Sequence, residues 1–345
     1  TTTEQVVTRI PTGVEPVSVS VRPDGQEVWV SNHISDSVSV IDNDPESATY
    51  LSVIATVQDI DLAKKSTRFN EPVGIAFANN AKAYVALSSS NQIAAVDVAS
   101  RKVTKHLKIR AQEPRAIAVI NDKLYVLPFE SNNQTQLSGG KEEDIDGELV
   151  TFDAQKLAGA FDSAGFTVDV VKNAKIPDRD LYIFDIETDE LLETVNSLGT
   201  NLFGLAVDDS DNVFIANTDA RNHINGKAGT KNHGLAELDN RPYLNRVTRV
   251  AADRKPTFHH LNPMPPEQPN RRQAVATPFG IKVSEDGRHL YLTGASSDHV
   301  IKLDAESGEI LGRVKVGAVP RGIALQESAN LAWIFNAAGN TVSKV

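Results

Sequence analysis

The sequence predicts an all-β protein built as a single β-propeller over residues 1–345, and three observations carry that reading. Short runs alternate apolar and polar residues and are broken by turn residues, as half-buried antiparallel strands require. The run EPVSVSVRPDGQEVWVSNHISDSVSVID (15–42) recurs as EPVGIAFANNAKAYVALSSSNQIAAVD (71–97) and TPFGIKVSEDGRHLYLTGASSDHVIKLD (277–304). The spacing is regular as well. Pro16 to Trp29, Pro278 to Tyr291 and Pro320 to Trp333 are each 13 residues apart, and so are Trp29 to Asp42, Tyr84 to Asp97 and Tyr291 to Asp304. A period of about 42 residues with four strand-like segments fits a propeller blade and not a helical solenoid.

The first unit runs from 15 to about 60 and the linker DIDLAKKSTRFN leads to the second at 71–111. The third starts at Glu113, and irregular insertions fall at about 130–147, 218–243 and 251–276. Pro114 and Leu202 stand 88 residues apart, about two periods. That gap predicts two blades, hence seven four-stranded blades in all; six blades with an inserted hairpin is the alternative. Later blades start at Asn201, Thr277 and Val319. The chain opens on a strand-like segment (4–13) and stops at NTVSKV. The N-terminal strand is therefore expected to close the last blade, which removes exposed edges.

Composition excludes several classes. A net charge of −10 argues against a nucleic-acid partner. With no cysteine the chain carries no disulfide, thiolate chemistry or c-type haem attachment of its own. No window has about 18 uninterrupted apolar residues, so no membrane span is expected. The start TTTEQVV, neither a signal peptide nor an initiator methionine, reads as a processed end and points to a periplasmic or extracellular protein. A monomer is expected.

In a four-stranded meander the connections from second to third strand and from fourth to the next first strand share one face. The long connections 57–71, 130–147, 218–243 and 251–276 fall in that set, and loops carry function more often than their scaffold. Six of the eight histidines, His33, His223, His233, His259, His260 and His299, lie there. So do Arg221, Lys227, Lys231, Arg241, Arg254, Lys255, Arg271 and Arg272, a local positive region opposite the acidic stretch 141–148. The candidate ligand or partner face is Asn32, His33, Arg221, Asn222, His223, His259, His260, Asn262 and His299. Imidazole is a common metal ligand, so His223, His259 and His260 are the candidates for a divalent metal, although no pair has a zinc-like spacing. Asp42, Asp97, Asp185 and Asp304, each ending a third strand, read as turn formers, as does DDSDN at 208–212. No GxSxG, GxGxxG or P-loop is present, and no catalytic residue is assigned.

The carrying residues Pro72-Val-Gly-Ile-Ala, Tyr84-Val-Ala, Pro278-Phe-Gly, Tyr291-Leu-Thr and Ser35-Asp-Ser-Val-Ser-Val-Ile-Asp42 resemble the YVTN-type β-propeller repeat family. Within it, IPDRDLYIFDIE (176–187), LFGLAVDDSDNVFIANTDARN (202–222) and HLN (260–262) are similar to exported bacterial propellers that precede a c-type cytochrome or di-haem peroxidase-like domain. The resemblance implies a redox partner, with haem on that partner or on a further domain, and Arg221, Asn222, His260 and Asn262 as the core of the face. Three functions stay open: a non-catalytic docking module, an enzyme of lactonase or lyase type or an oxidase component, with His260 or His223 as acid/base, and a histidine-rich metal or small-molecule binder.

Overall fold

The computed structural model describes residues 5–130, 179–221 and 238–345. Among these, helical structure is limited to the 3-10 turn Glu327–Ala329 and Leu238, and the rest of the regular structure is antiparallel strand. The first meander is β1 (Pro16–Val21), β2 (Glu27–Asn32), β3 (Ser37–Asp42) and β4 (Val53–Val57), paired in chain order. A two-residue hairpin follows, β5 (Ile60–Asp61) with β6 (Ser66–Thr67). The second meander is β7 (Pro72–Phe77), β8 (Lys82–Leu87), β9 (Gln92–Asp97) and β10 (Lys102–Lys108).

Next come β11 (Gln112–Ile120), β12 (Lys123–Glu130), β13 (Leu181–Asp185) and β14 (Leu191–Val195). The strand order runs β14-β13-β12, with β11 also on β12. A fourth meander consists of β15 (Asn201–Val207), β16 (Val213–Ala220), β17 (Tyr243–Val250) and β18 (Pro256–His260). The fifth is β19 (Pro278–Val283), β20 (His289–Gly294), β21 (His299–Asp304) and β22 (Ile310–Lys315). The last sheet has three strands, β23 (Pro320–Gln326), β24 (Leu331–Asn336) and β25 (Thr341–Lys344).

The chain divides into two compact units, Thr1–Val126 with Ile183–Leu192, and Leu127–Tyr182 with Glu193–Val345. In the first, Trp29, Val38 and Val40 pack with Ala83, Val85, Leu87, Ala94 and Val96, one face of each alternating strand. Trp29 meets Phe77 edge-on with centroids 5.1 Å apart. Buried Glu27 receives the Trp29 indole N–H at 2.9 Å and ion pairs from Arg22 and Arg101. In the second unit, Phe214, Ala216 and Val247 pack with Ile281, Leu290, Leu292, Ile301 and Leu303.

Two devices explain why the repeat reads as it does. The residue before each leading proline has positive φ: Glu71 (49°), Glu113 (57°), Thr277 (50°) and Val319 (56°). In that left-handed conformation its N–H meets a side chain from the preceding meander. Asp36 accepts from Glu71 at 2.8 Å, Asn91 from Glu113 at 2.9 Å, Asn245 from Thr277 at 3.0 Å and Asp298 from Val319 at 2.9 Å. The S-D and S-N dipeptides of the repeat are therefore latches, and the hydrogen bond offsets the conformational cost of an L residue at positive φ. The second device is the glycine two residues after the leading position. A Cβ on Gly74 would stand closer than 3.0 Å to the Arg115 carbonyl, one on Gly204 to that of Phe279, and one on Gly280 to that of Arg321. Only glycine lets the next first strand approach so closely.

The strands and turns expected from the sequence are present, and Asp97, Asp185 and Asp304 accept backbone N–H groups in the turns they end. Two expectations change, and a third falls outside the described residues. Residues 5–15 form no strand, with Val6 and Val7 exposed, and the last sheet stays three-stranded among the described residues. An apolar pair that buries nothing has no drive to add a strand. Between Pro114 and Leu202 the described residues form one meander (β11–β14), and residues 131–178, where a further blade and most of the insertion near 130–147 were expected, lie outside the described residues. The insertion at 251–276 contains β18, the outermost strand of its sheet. Arg254 and Lys255 thus sit in the β17–β18 turn, on the other set of connections.

Candidate functional site

In the fourth meander β16 and β17 run eight residues each and pair as far as Ala220 with Tyr243. That extension carries polar residues inward: Asn217, Thr218 and Asp219 are all buried. Strand alternation puts Asn217 and Asp219 on one side, with Arg246 opposite Asn217 in register. Arg246 donates from Nε to Asn217 Oδ1 at 3.0 Å, from Nη1 to Asp219 Oδ2 at 2.9 Å and from Nη2 to the Leu198 carbonyl at 2.9 Å. Its face lies 4.2 Å from the Phe258 ring centroid. The fully buried Asp180 accepts the Leu198 N–H at 2.6 Å. Burial lowers the Arg246 pKa from its ordinary value, and Asp219 and Asp180 oppose that shift. The centre is a buried cation paired with Asp219, with the Asp180 carboxylate acting on it through space. Asp180, Asn217, Asp219 and Arg246 were not singled out from the sequence; the polar run NTD at the end of an otherwise apolar strand was the available signal.

Around this centre the expected residues act as braces. Arg221 donates to the carbonyls of Leu238 at 2.6 Å and Arg241 at 3.2 Å and pairs with Asp239 at 3.2 Å. Arg241 in turn donates to the carbonyls of Pro263 and Glu267. Asn262 bonds the backbone of Val275 in both directions, at 2.8 and 2.9 Å, and so closes the connection 261–277. Asn222 and His223 lie outside the described residues.

Among the described residues of the second unit the histidines do not converge. His259 and His260 are neighbours on β18, so they point to opposite faces. His260 sits opposite Arg246 in register, and its pKa is lowered by burial first and then by Arg246. His259 is buried against Gly308, whose missing Cβ leaves room for the ring, and its Nε2 has no hydrogen-bond partner. His299 bonds locally to the Ser297 carbonyl. In the first unit, Asn32 is fully buried and takes the Gly13 N–H at 3.0 Å while donating to Ser37 and Ser39 at 3.1 and 3.0 Å. His33 Nε2 stands 3.8 Å from Glu71 Oε2, and its Nδ1 is buried without a partner. Among the described residues no group of three histidine, aspartate or glutamate side chains could hold a metal ion.

The His259 pKa is lowered from 6.5, by burial first and then by Arg249. The unfolded chain therefore takes up this proton before the folded one. The stabilisation from the neutral ring is complete above about pH 6.5 and is lost as pH falls below it. Urea midpoints should drop between about pH 7.5 and about pH 5.5, and His259→Leu should flatten part of that drop. An equal slope in wild type and variant would refute the assignment.

No protein-family model matches the chain, and no curated protein matches it. A solved structure of hydrazine synthase from Kuenenia stuttgartiensis resembles it with a TM-score of 0.53 at 15% sequence identity, over 98% of this chain and 97% of that one. That protein contains a β-propeller. The fold is β-propeller-like. At this identity the likeness concerns the fold and carries no activity across.

Proposed function

We propose that this chain is an exported, non-catalytic binding and docking module of the YVTN-type repeat family that engages a redox partner, a c-type cytochrome or haem domain, through its long connections. The observation that carries the reading is the bracing of the fourth meander's connections. Arg221, Arg241 and Asn262 are committed to backbone groups of 238–242 and 261–277, which makes those segments a fixed platform instead of a reactive cleft. Arg271 and Arg272 are exposed on that platform, two cations on a chain of net charge −10. A partner with an acidic patch is the complement, steered by charge. The blade count we propose is seven, from the two-period spacing of Pro114 and Leu202, with six blades and an inserted hairpin as the alternative.

Calorimetric titration with an acidic c-type cytochrome tests the reading. Binding should weaken at least tenfold in the Arg271→Glu/Arg272→Glu variant and with rising salt. An affinity indifferent to both changes, or no binding at all, would sink it. A second reading has one observation behind it: His260 stands opposite Arg246 in register, and burial and that cation lower its pKa, the direction that suits a general base. Hydrolysis of a lactone by the wild type, abolished by His260→Ala, would favour that reading.

A further inference from the structure

Each leading residue of a first strand is anchored in the sheet, and a β-bulge follows it. The register shifts between Leu202 and Gly204 in β15, between Pro278 and Ile281 in β19, and between Pro320 and Gly322 in β23. Leu202, Pro278 and Pro320 are buried. The residue after each of them, Phe203, Phe279 and Arg321, is taken out of the alternating pattern and re-aimed, as bulges do. Both rings are half-buried, and neither is part of the cluster that holds Phe214 and Ile281.

The three side chains form one continuous row. Phe203 and Phe279 have centroids 5.5 Å apart at 39°, and Phe129 extends the row with an edge-on contact to Phe203 at 5.3 Å. At the other end Arg321 Cζ lies 5.1 Å from the Phe279 centroid. The backbone that carries the guanidinium is fixed: the Arg321 carbonyl seats against Gly280 and accepts the Thr293 hydroxyl at 3.2 Å. Arg321 is exposed and, among the described residues, makes no ion pair or side-chain hydrogen bond. Among the described residues its donors are therefore free at the edge of an aromatic surface.

We propose that Phe203, Phe279 and Arg321 form a binding site for a small planar aromatic carboxylate. The rings offer π-surface for stacking, and the guanidinium offers a fork that fits a carboxylate bidentately. One exposed cation alone holds a simple anion weakly. The arene and the carboxylate are therefore both needed, and an organic cation is repelled.

The probe is 2-naphthoate, titrated by calorimetry into the full chain and followed by ring-proton shifts. Wild type should bind at submillimolar concentration. Arg321→Met should weaken binding about tenfold or more, the scale of one charge-assisted hydrogen bond. The neutral analogue 2-naphthalenemethanol should bind wild type that much more weakly and be indifferent to Arg321→Met. Phe279→Leu, which keeps apolar bulk, should weaken both ligands about fivefold, and acetate should not bind. Unchanged circular dichroism melts establish that the variants fold; Arg321 is exposed, so at least that arm stays readable. No binding of 2-naphthoate by wild type at millimolar ligand would overturn the proposal, as would equal affinities across the variants.

Discussion

Replacing Arg246 with methionine is expected to lower stability by about 3–5 kcal/mol, the range for removing one partner of a buried ion pair. Methionine fills the space over Phe258, so a cavity is not the cause. What remains is Asp219 without its 2.9 Å partner and the Asn217 amide oxygen stripped of its donor, while the Leu198 carbonyl keeps the Thr248 hydroxyl at 2.9 Å. A buried acceptor left unpaired costs about 1–3 kcal/mol by itself. Adding Asp219→Asn to the methionine variant should recover part of the loss, because a neutral amide tolerates burial better than a carboxylate. Asp219→Asn alone should be destabilising, so the two changes will not add. Urea midpoints of the four proteins form the cycle. A methionine variant within about 0.5 kcal/mol of wild type, the range of ordinary surface changes, would mean that water already solvates this network.

The second large effect comes from a single methyl group. Gly280→Ala places a Cβ against the Arg321 carbonyl, and backbone on both sides leaves nothing flexible to yield. The expected cost is about 1–3 kcal/mol or more, the cost of overpacking. Gly204→Ala should behave alike against Phe279. Gly312 is the internal control: it lies in a strand too, but nothing stands within 4 Å of its Cβ position. Alanine there should be neutral or slightly stabilising, since glycine weakens a strand interior. Thermal melts of the three variants decide the matter, and equal melting temperatures would refute the close-approach explanation.

These two cases also mark how far the sequence could be read. Signals that act within one hairpin were legible: alternation over Val17–Val21, the Pro23-Asp24-Gly25 turn, and the aspartates that end third strands. The glycine slot was legible as a repeat, but its cause lies in the next sheet. The Arg246 centre was not legible, because Asp180, Leu198, Asp219 and Arg246 come from four separated segments and no local spacing records their convergence. PTFHH misled for a different reason. Polar residues behind a proline resemble a connection, yet an outermost strand tolerates both, since its outer edge needs no donor and faces water. The two histidines were therefore assigned to a loop, when strand alternation sends them to opposite faces.

The latches have a further consequence for how such a chain can change. In the fourth meander the latch residue Asn245 lies on the returning strand β17, downstream of the insertion that follows β16. In the first, second and fifth meanders Asp36, Asn91 and Asp298 likewise sit immediately before the third strand. Segments ahead of these residues can lengthen, shorten or be exchanged while the bond to the next first strand persists. Binding loops are thus free to diverge, or to be grafted from another protein, without renegotiating the scaffold beneath them.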